Sequence, residues 1–360
     1  MALIAPAYSK SKVDKAGRSL VASATQAELF EALDVISNFR SSHSFPLNTF
    51  QTTLRRKGRK IDADCLVAQR IKRLASIKLK LERFPGIRLS QMQDIGGCRI
   101  VVNDIAAAQE IVSVYRKSDL KHSLVRVDDY LTNPQVSGYR GVHMIYRYFS
   151  DRNALYNGLN IELQIRSQLQ HAWATAVETV GTFLNQSLKS SLGEDQWLRF
   201  FALMGTVIAF SEGTSHVSGT PDNYVNLINE LQDISSELDV VNRLEVFGNA
   251  LQFFQGQQQG EQEYFLLILD PIKRQVTVRG YSRGMLAQAQ QDYLETEKQV
   301  SETASDAVLV SVDSVAALQK AYPNYFLDTR VFIGLLRDAL ENKPLSVDAA
   351  EQIVPSAVTE

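Results

Sequence analysis

Two cysteines, Cys65 and Cys98, are all that the 360 residues contain. That excludes a disulfide framework and a cysteine-based zinc site, and both thiols are expected in the core or in strands. Long apolar runs are missing too. None approaches the roughly 18 residues that a membrane span needs. The longest, "FFALMGTVIAF" from Phe200 to Phe210, reads as a buried helix, so no membrane association is expected. The opening "MALIAPAYSKSK" has no basic segment ahead of its short apolar stretch. It does not read as a secretory signal, and a cytoplasmic location is expected. Neither GxxxxGKS/T nor GxGxxG occurs, which disfavours the P-loop and Rossmann modes of phosphate binding.

What is present is the composition of a globular protein, 45% hydrophobic and 22% charged, with enough chain for two domains. The net charge of -2 hides an asymmetry: residues 1–80 hold 15 Lys and Arg against 6 Asp and Glu, or +9, so the other 280 carry -11. The cations concentrate in "LRRKGRK" (Leu54 to Lys60) and "RIKRLASIKLK" (Arg70 to Lys80). Alone, such runs describe a solvated helix face; the functional alternative is a polyphosphate or RNA surface.

Hydrophobic periodicity gives a mainly helical stretch over residues 1–85, with a Ser/Thr start before "AELFEALDVISNF". Beyond "FPG" the pattern alternates: strand "CRIVV", helix "AAAQEIVSVYRK", strands in "YRGVHMIYRYF" and "NIELQIR" around a loop ending in Asn157-Gly158, then a helix from about Gln168 to Leu184. This predicts an α/β domain, a mixed β-sheet flanked by helices, over residues 1–212. "SEGTSHVSGTPDN" (Ser211 to Asn223) reads as a linker or long loop. The next stretch, "NYVNLINELQDISSELDVVNRLEVFGNALQFF", reads as amphipathic helix. A Gln-rich turn "QGQQQGEQ", a hairpin about Asp270-Pro271, a helix near Met285 to Val300, strand "DAVLVSV" and helix "DTRVFIGLLRDAL" complete a smaller α+β unit over 221–345, with a tail at 346–360.

The chemistry concentrates between Arg70 and Glu178. Arg70, Lys72 and Lys80, with Ser76 among them, are read as a helix after a turn whose cations converge on a triphosphate. Asp94, just before a strand carrying Arg99, is either a turn aspartate or a ligand for Mg²⁺ shared with phosphate oxygens. In "NIELQIR" the period of two sends Ile161, Leu163 and Ile165 to the core and Glu162, Gln164 and Arg166 to the other face. Either that face is simply exposed or the three polar groups serve a ligand. Tyr139, between Gly138 and Gly141 in "SGYRGVH", is either a core ring or a surface for stacking a base.

The ordered motifs "RIKRLASIKLK", "DIGGCRI", "YLTNPQVSGYRGVH" and "IELQIRSQLQHAWA" strongly resemble the synthetase domain of the RelA/SpoT family, over roughly residues 50–185. The resemblance implies a nucleotidyltransferase-like fold and Mg²⁺-dependent transfer of pyrophosphate from ATP to a ribose 3′-hydroxyl, with AMP leaving. It also implies roles. Arg70 and Arg99 sandwich the adenine, Lys72 and Lys80 hold the ATP phosphates with Ser76 beside them, and Asp94 binds Mg²⁺. Glu162 approaches the metal and acts as general base. Tyr139 stacks on the acceptor base, aided by the close approach its two glycines allow, while His143, Gln164 and Arg166 position the acceptor.

Departures from the family pattern refine the expectation. No His-Asp dipeptide occurs, so the hydrolase domain of the long members is not expected. Alarmone-making relatives commonly carry Lys where this loop has Gln135, which weakens the case for GDP or GTP as acceptor. The chain thus resembles the toxic small synthetases that pyrophosphorylate the tRNA 3′ CCA end. With its second unit it further resembles the CapRel fused toxin–antitoxins, in which the C-terminal domain restrains the toxin until a phage capsid protein releases it. The alternative is a (p)ppGpp synthetase of the stringent response.

Overall fold

The computed structural model describes residues 4–22, 25–184, 195–249, 252–255, 262–270, 272–273, 275–300, 303, 305–312, 314–326 and 328–347. Most of the Gln-rich turn and most of the expected tail lie outside the described residues. Helices α1 (Lys10–Val21), α2 (Gln26–Ser41) and α3 (Ser44–Gly58) lead into β1 (Leu66–Ile71) and α4 (Leu74–Arg83). There follow β2 (Gly96–Val102), α5 (Ile105–Arg116), β3 (Ser123–Asp129), β4 (Val142–Arg147), β5 (Asn160–Ser167), α6 (Gln168–Phe183) and α7 (Asp195–Glu212). The second half adds α8 (Tyr224–Glu237), α9 (Val240–Asn249), β6 (Gln252–Gln255), β7 (Tyr264–Asp270), β8 (Gln275–Tyr281), α10 (Leu286–Val300), β9 (Asp306–Ser311), α11 (Val315–Ala321) and α12 (Arg330–Leu340). No helix among the described residues is long and apolar enough to cross a membrane.

Nine strands of the described residues form one mixed sheet, in the order β3-β4-β5-β2-β1-β9-β7-β8-β6. The two halves of the chain therefore share a sheet, joined where β9 runs antiparallel to β1. Local sequence explains the element starts. Thr25 and Glu28 close a reciprocal cap on α2, and Ser167 and Gln170 do the same for α6.

Three details depart from the sequence reading. Arg70 sits on strand β1 and not on a helix: Val67, Ala68 and Gln69 pair with β2, and α4 begins only at Leu74. The helical run after the Ser211–Asn223 loop breaks at Asp239, whose φ of 48° ends α8, and the run finishes in strand β6. Strand β3, with its edge-strand pattern of exposed residues, carries no clear alternation and is unmarked in the sequence reading.

The apolar side of β5, Ile161, Leu163 and Ile165, packs with Leu47, Phe50 and Leu54 of α3 and Ile111 of α5. A helical core of Trp173, Phe200, Phe201, Leu227, Leu231, Phe332 and Leu336 ties α6 and α7 to α8 and α12. "FFALMGTVIAF" is thus a buried helix, and Cys65 and Cys98 are buried free thiols. The polar side of β5 is left facing a cavity.

Candidate active site

The cavity has a volume of about 50 Å³ and is lined by Arg70, Lys72, Arg73, Ser76, Asp94, Gly97, Cys98, Arg99, Glu162, Gln164 and Tyr322. Four of the five residues assigned to ATP from the sequence, Arg70, Lys72, Ser76 and Arg99, line it together with both carboxylates, and the fifth, Lys80, reaches it only through its contact with Asp94. Strands β1 and β2 present Arg70 and Arg99, the turn into α4 presents Lys72, and β5 presents Glu162 and Gln164.

Asp94 sits between two ammonium groups: Lys72 Nζ donates to Oδ2 at 2.9 Å, and Lys80 Nζ to Oδ1 and Oδ2 at 3.0 Å each. Burial pushes the Asp94 carboxyl up, but Lys72 and Lys80 override both burial and the repulsion of Glu162, and hold it below the usual carboxylate range. Burial in turn lowers the Lys72 ammonium, an effect its contact with Asp94 offsets only in part.

On β4 and β5 a closed ring of hydrogen bonds forms, because register places His143 opposite Gln164 and alternation puts Glu162, Gln164 and Arg166 on one side. His143 Nδ1 meets Glu162 Oε1 at 2.9 Å, and Gln164 Nε2 donates to Glu162 Oε2 at 2.6 Å. Arg166 Nη2 donates to Gln164 Oε1 at 3.2 Å and to the Tyr139 hydroxyl at 2.7 Å, and His143 Nε2 closes the ring to that hydroxyl at 2.5 Å. Burial opposes charge on His143, but the Tyr139 oxygen and the Glu162 carboxylate override it and raise its pKa to about 9. Burial likewise opposes charge on Glu162, yet His143 and the Gln164 amide hold it far below the ordinary value.

This has a pH consequence. A raised histidine pKa contributes stability that is fully present below its unfolded value near 6.5 and lost as pH rises through about 9. Thermal midpoints measured from pH 6.5 to 10 should fall for the wild type by a few degrees more than for His143→Gln. Parallel profiles would remove the charged pairing.

Tyr139 corrects one expectation. Its ring is 2% exposed and packs among Trp173 and Phe201, so no open face is available for an acceptor base in this structure. Gly138, at φ +91°, does not clear space for a base either: a Cβ there would stand 2.5 Å from the Phe201 carbonyl oxygen, so the glycine serves close packing of the loop on α7. Tyr139→Phe, which keeps the ring and deletes the hydroxyl, should cost about 1–3 kcal/mol in urea unfolding, since it strips an acceptor from two buried donors. An unchanged midpoint would show that the hydroxyl does not hold the ring of bonds together.

Two aromatic residues escaped the sequence reading. Tyr130, half-buried, stands edge-on to Tyr139 and His143, with ring centroids at 5.6 and 5.4 Å. Its place in "YLTNPQVSGYRGVH" was the available signal. Tyr322, just after α11, lies over the Arg99 guanidinium at 5.5 Å and donates its hydroxyl to the Gln69 carbonyl at 3.2 Å. Arg99 Nη1 also donates to the Ala321 carbonyl at 3.2 Å. Burial, with Arg166 and Arg70 nearby, lowers the Arg99 pKa to about 10. Nothing local in "QKAYPNYF" marks that role.

The basic cluster at the end of α3 is partly spent inside the protein. Arg55, Arg56 and Lys57 lie in the last turn, where a helix favours cations, and Lys57 pairs with Ser118 and sits 4.9 Å over the Tyr115 ring.

Residues 69–181 match the family described as the region found in RelA/SpoT proteins. The chain is similar to the GTP pyrophosphokinase YjbM of Bacillus subtilis (strain 168), 28% identical over 158 residues, spanning 42% of this chain and 71% of that protein. It is likewise 28% identical to the GTP pyrophosphokinase YwaC of that strain over 133 residues, 35% of this chain and 62% of that one. Among solved structures, small alarmone synthetase 2 from Bacillus subtilis superposes over 49% of this chain and 93% of its own, at 21% identity and a TM-score of 0.42. Small alarmone synthetase 1, bound to its product pppGpp, does so over 47% and 90%, at 22% and 0.39.

A cavity that gathers phosphate-type cations with two carboxylates, in a chain similar to these kinases, defines the class: the protein is a pyrophosphokinase. Over residues 69–181 it is similar to the region found in RelA/SpoT proteins.

Proposed function

We propose that the chain transfers pyrophosphate from ATP to the 3′-hydroxyl of the tRNA CCA end, and that its own C-terminal half restrains the reaction. The supporting observation is the cavity, which holds Arg70, Lys72, Ser76, Arg99, Asp94 and Glu162 and is covered by Tyr322. Transfer of this kind needs positioning and charge neutralisation more than covalent work. In this reading Arg70 and Arg99 bracket the adenine, and Lys72 and Lys80 meet the phosphates once Asp94 takes another partner. The acceptor hydroxyl attacks the β-phosphorus, the bond to the α-phosphate oxygen breaks, and AMP leaves. Glu162 orients the hydroxyl and receives its proton. His143 keeps the carboxylate ionised, the form that can accept a proton.

The donor set also fits Mg²⁺. No group of three or more His, Cys, Asp or Glu among the described residues forms a metal cage. Mg²⁺ commonly takes one or two carboxylates and completes its shell with substrate phosphates, and Asp94 and Glu162 supply those carboxylates. When bound, the ion would neutralise charge on the transferred phosphates.

The acceptor assignment rests on Gln135. Its backbone N–H donates to the Tyr139 carbonyl at 3.2 Å and its side chain is engaged with the Tyr130 hydroxyl, so an uncharged amide stands where a 5′-diphosphate would call for a cation. A guanosine nucleotide acceptor, giving (p)ppGpp, is the second reading, favoured by relatives described as GTP pyrophosphokinases. Restraint is supported by the cavity's size: about 50 Å³ is far below the roughly 300–1,000 Å³ of ligand pockets. Release by a phage capsid protein follows from the likeness to fused toxin–antitoxins. Incubation with γ-labelled ATP and, in parallel, deacylated tRNA, GDP and GTP tests the acceptor, with and without co-purified capsid protein. Label in tRNA is expected; label only in guanosine nucleotides would overturn the tRNA reading.

A further inference from the structure

Acidic side chains of the C-terminal half take up the donors at the start of α4. Leu74 N–H donates to Glu297 Oε1 at 2.7 Å, and the Arg73 guanidinium is ion-paired with Asp306. Arg40 of α2, 1% exposed, donates to Glu297 through Nη1 at 2.6 Å and Nη2 at 3.1 Å, while its Nε holds the Lys72 carbonyl at 2.9 Å. The Tyr293 hydroxyl joins the same group, accepting from Arg40 at 2.7 Å and donating to Glu297 at 2.9 Å.

A buried ion pair is a poor source of stability, since desolvation consumes most of the attraction. Its placement is more informative. Helix α4 carries Ser76 and Lys80, the turn before it carries Lys72 and Arg73, and Lys72, Arg73 and Ser76 line the cavity. Cations together with a backbone N–H at one edge of a nucleotide cavity are what a polyphosphate binds. Here Glu297 and Asp306 neutralise them. The strand ladder that joins the halves is short: β9 pairs with β1 at Gln69↔Ser311 and Arg70↔Val310, against six pairs with β7. Glu297 on α10 and Asp306 at the start of β9 both lie on the C-terminal side of that ladder.

We infer that Glu297 and Asp306 hold the places of donor phosphates, masking a subsite of Arg40, Arg73 and the Leu74 N–H that binds the ATP triphosphate when the C-terminal half withdraws. The inference rests on reading the cavity as the ATP site. It adds to Tyr322, which covers the base end, a second and electrostatic restraint at the phosphate end.

The test measures binding of a non-hydrolysable ATP analogue with Mg²⁺ to full-length protein carrying Tyr322→Ala, alone and with Asp306→Asn, Glu297→Gln or Arg73→Gln added. Removing either carboxylate should tighten binding by roughly 5- to 10-fold, and Arg73→Gln should weaken it by a similar factor. Asp306→Asn is the safer variant because its pair with Arg73 is one-third exposed, whereas Glu297→Gln leaves Arg40 buried. Unchanged affinity with a lowered thermal midpoint would make both carboxylates structural and overturn the inference. Failure of every form to bind the analogue would instead remove the ATP site, and the masking with it.

Discussion

Glu162→Gln should lower pyrophosphate transfer by about 10²- to 10⁴-fold, the usual loss when a positioned acid–base carboxylate is removed, and Asp94→Asn should do the same by a different route. The two variants are separable. Gln at 162 keeps an acceptor for His143 and a neighbour for Gln164, so the ring of hydrogen bonds through Tyr139 and Arg166 is retained in outline and the fold should survive. Asn at 94 leaves the Lys72 and Lys80 ammonium groups facing one another without their shared counter-ion. Binding of an ATP analogue should therefore lose its Mg²⁺ dependence in Asp94→Asn and keep it, weakened, in Glu162→Gln. Initial rates of AMP release, with calorimetric binding, provide both numbers. Turnover near that of the wild type in either variant would remove the active-site assignment.

The polar side of the cavity was readable because β5 is regular. Alternation in "NIELQIR" sorts Glu162, Gln164 and Arg166 from Ile161, Leu163 and Ile165 without any tertiary information, and the antiparallel register then delivers His143 to the same place. Arg70 was misplaced because cations at i, i+2 and i+10 look equally good on a helix or across a strand–turn–helix. What decided it was pairing of 66–71 with β2, a long-range event. The stacking role that the resemblance implies for Tyr139 needs an open ring, for which its flanking glycines suggest room. In the fold, α7 fills that room, and the positive φ at Gly138 serves the packing. Restraint by the C-terminal half is an expectation of the resemblance, but the residue that reaches the cavity, Tyr322, was not legible. Arg99 and Ala321 lie 222 residues apart, and long-range pairing of β9 with β1 helps bring them together.

That covering leads to the other large effect. Tyr322→Ala should raise pyrophosphate transfer by full-length protein about 10- to 100-fold without any added activator. The ring over Arg99 is a desolvated cation–π contact worth up to about 2 kcal/mol, and the hydroxyl bond to Gln69 adds about 0.5–1.5 kcal/mol. Losing both shifts a closed-to-open equilibrium by one to two powers of ten, at about 1.4 kcal/mol each. Tyr322→Phe keeps the ring and deletes only the hydroxyl, so its gain should be about 2- to 10-fold. A point variant is a cleaner probe than truncation near residue 220. Phe332, Ile333, Leu335 and Leu336 of α12 pack in the core that holds Trp173 and Phe201, and Ala68 of β1 packs against Val310 and Tyr322, so the shortened chain would expose both cores and is expected to aggregate. A folded Tyr322→Ala protein with no gain in transfer, at ATP concentrations that saturate other forms, would show that the ring does not restrain the enzyme. A gain confined to the Ala variant, absent from Phe, would place the whole restraint in the contact with Arg99.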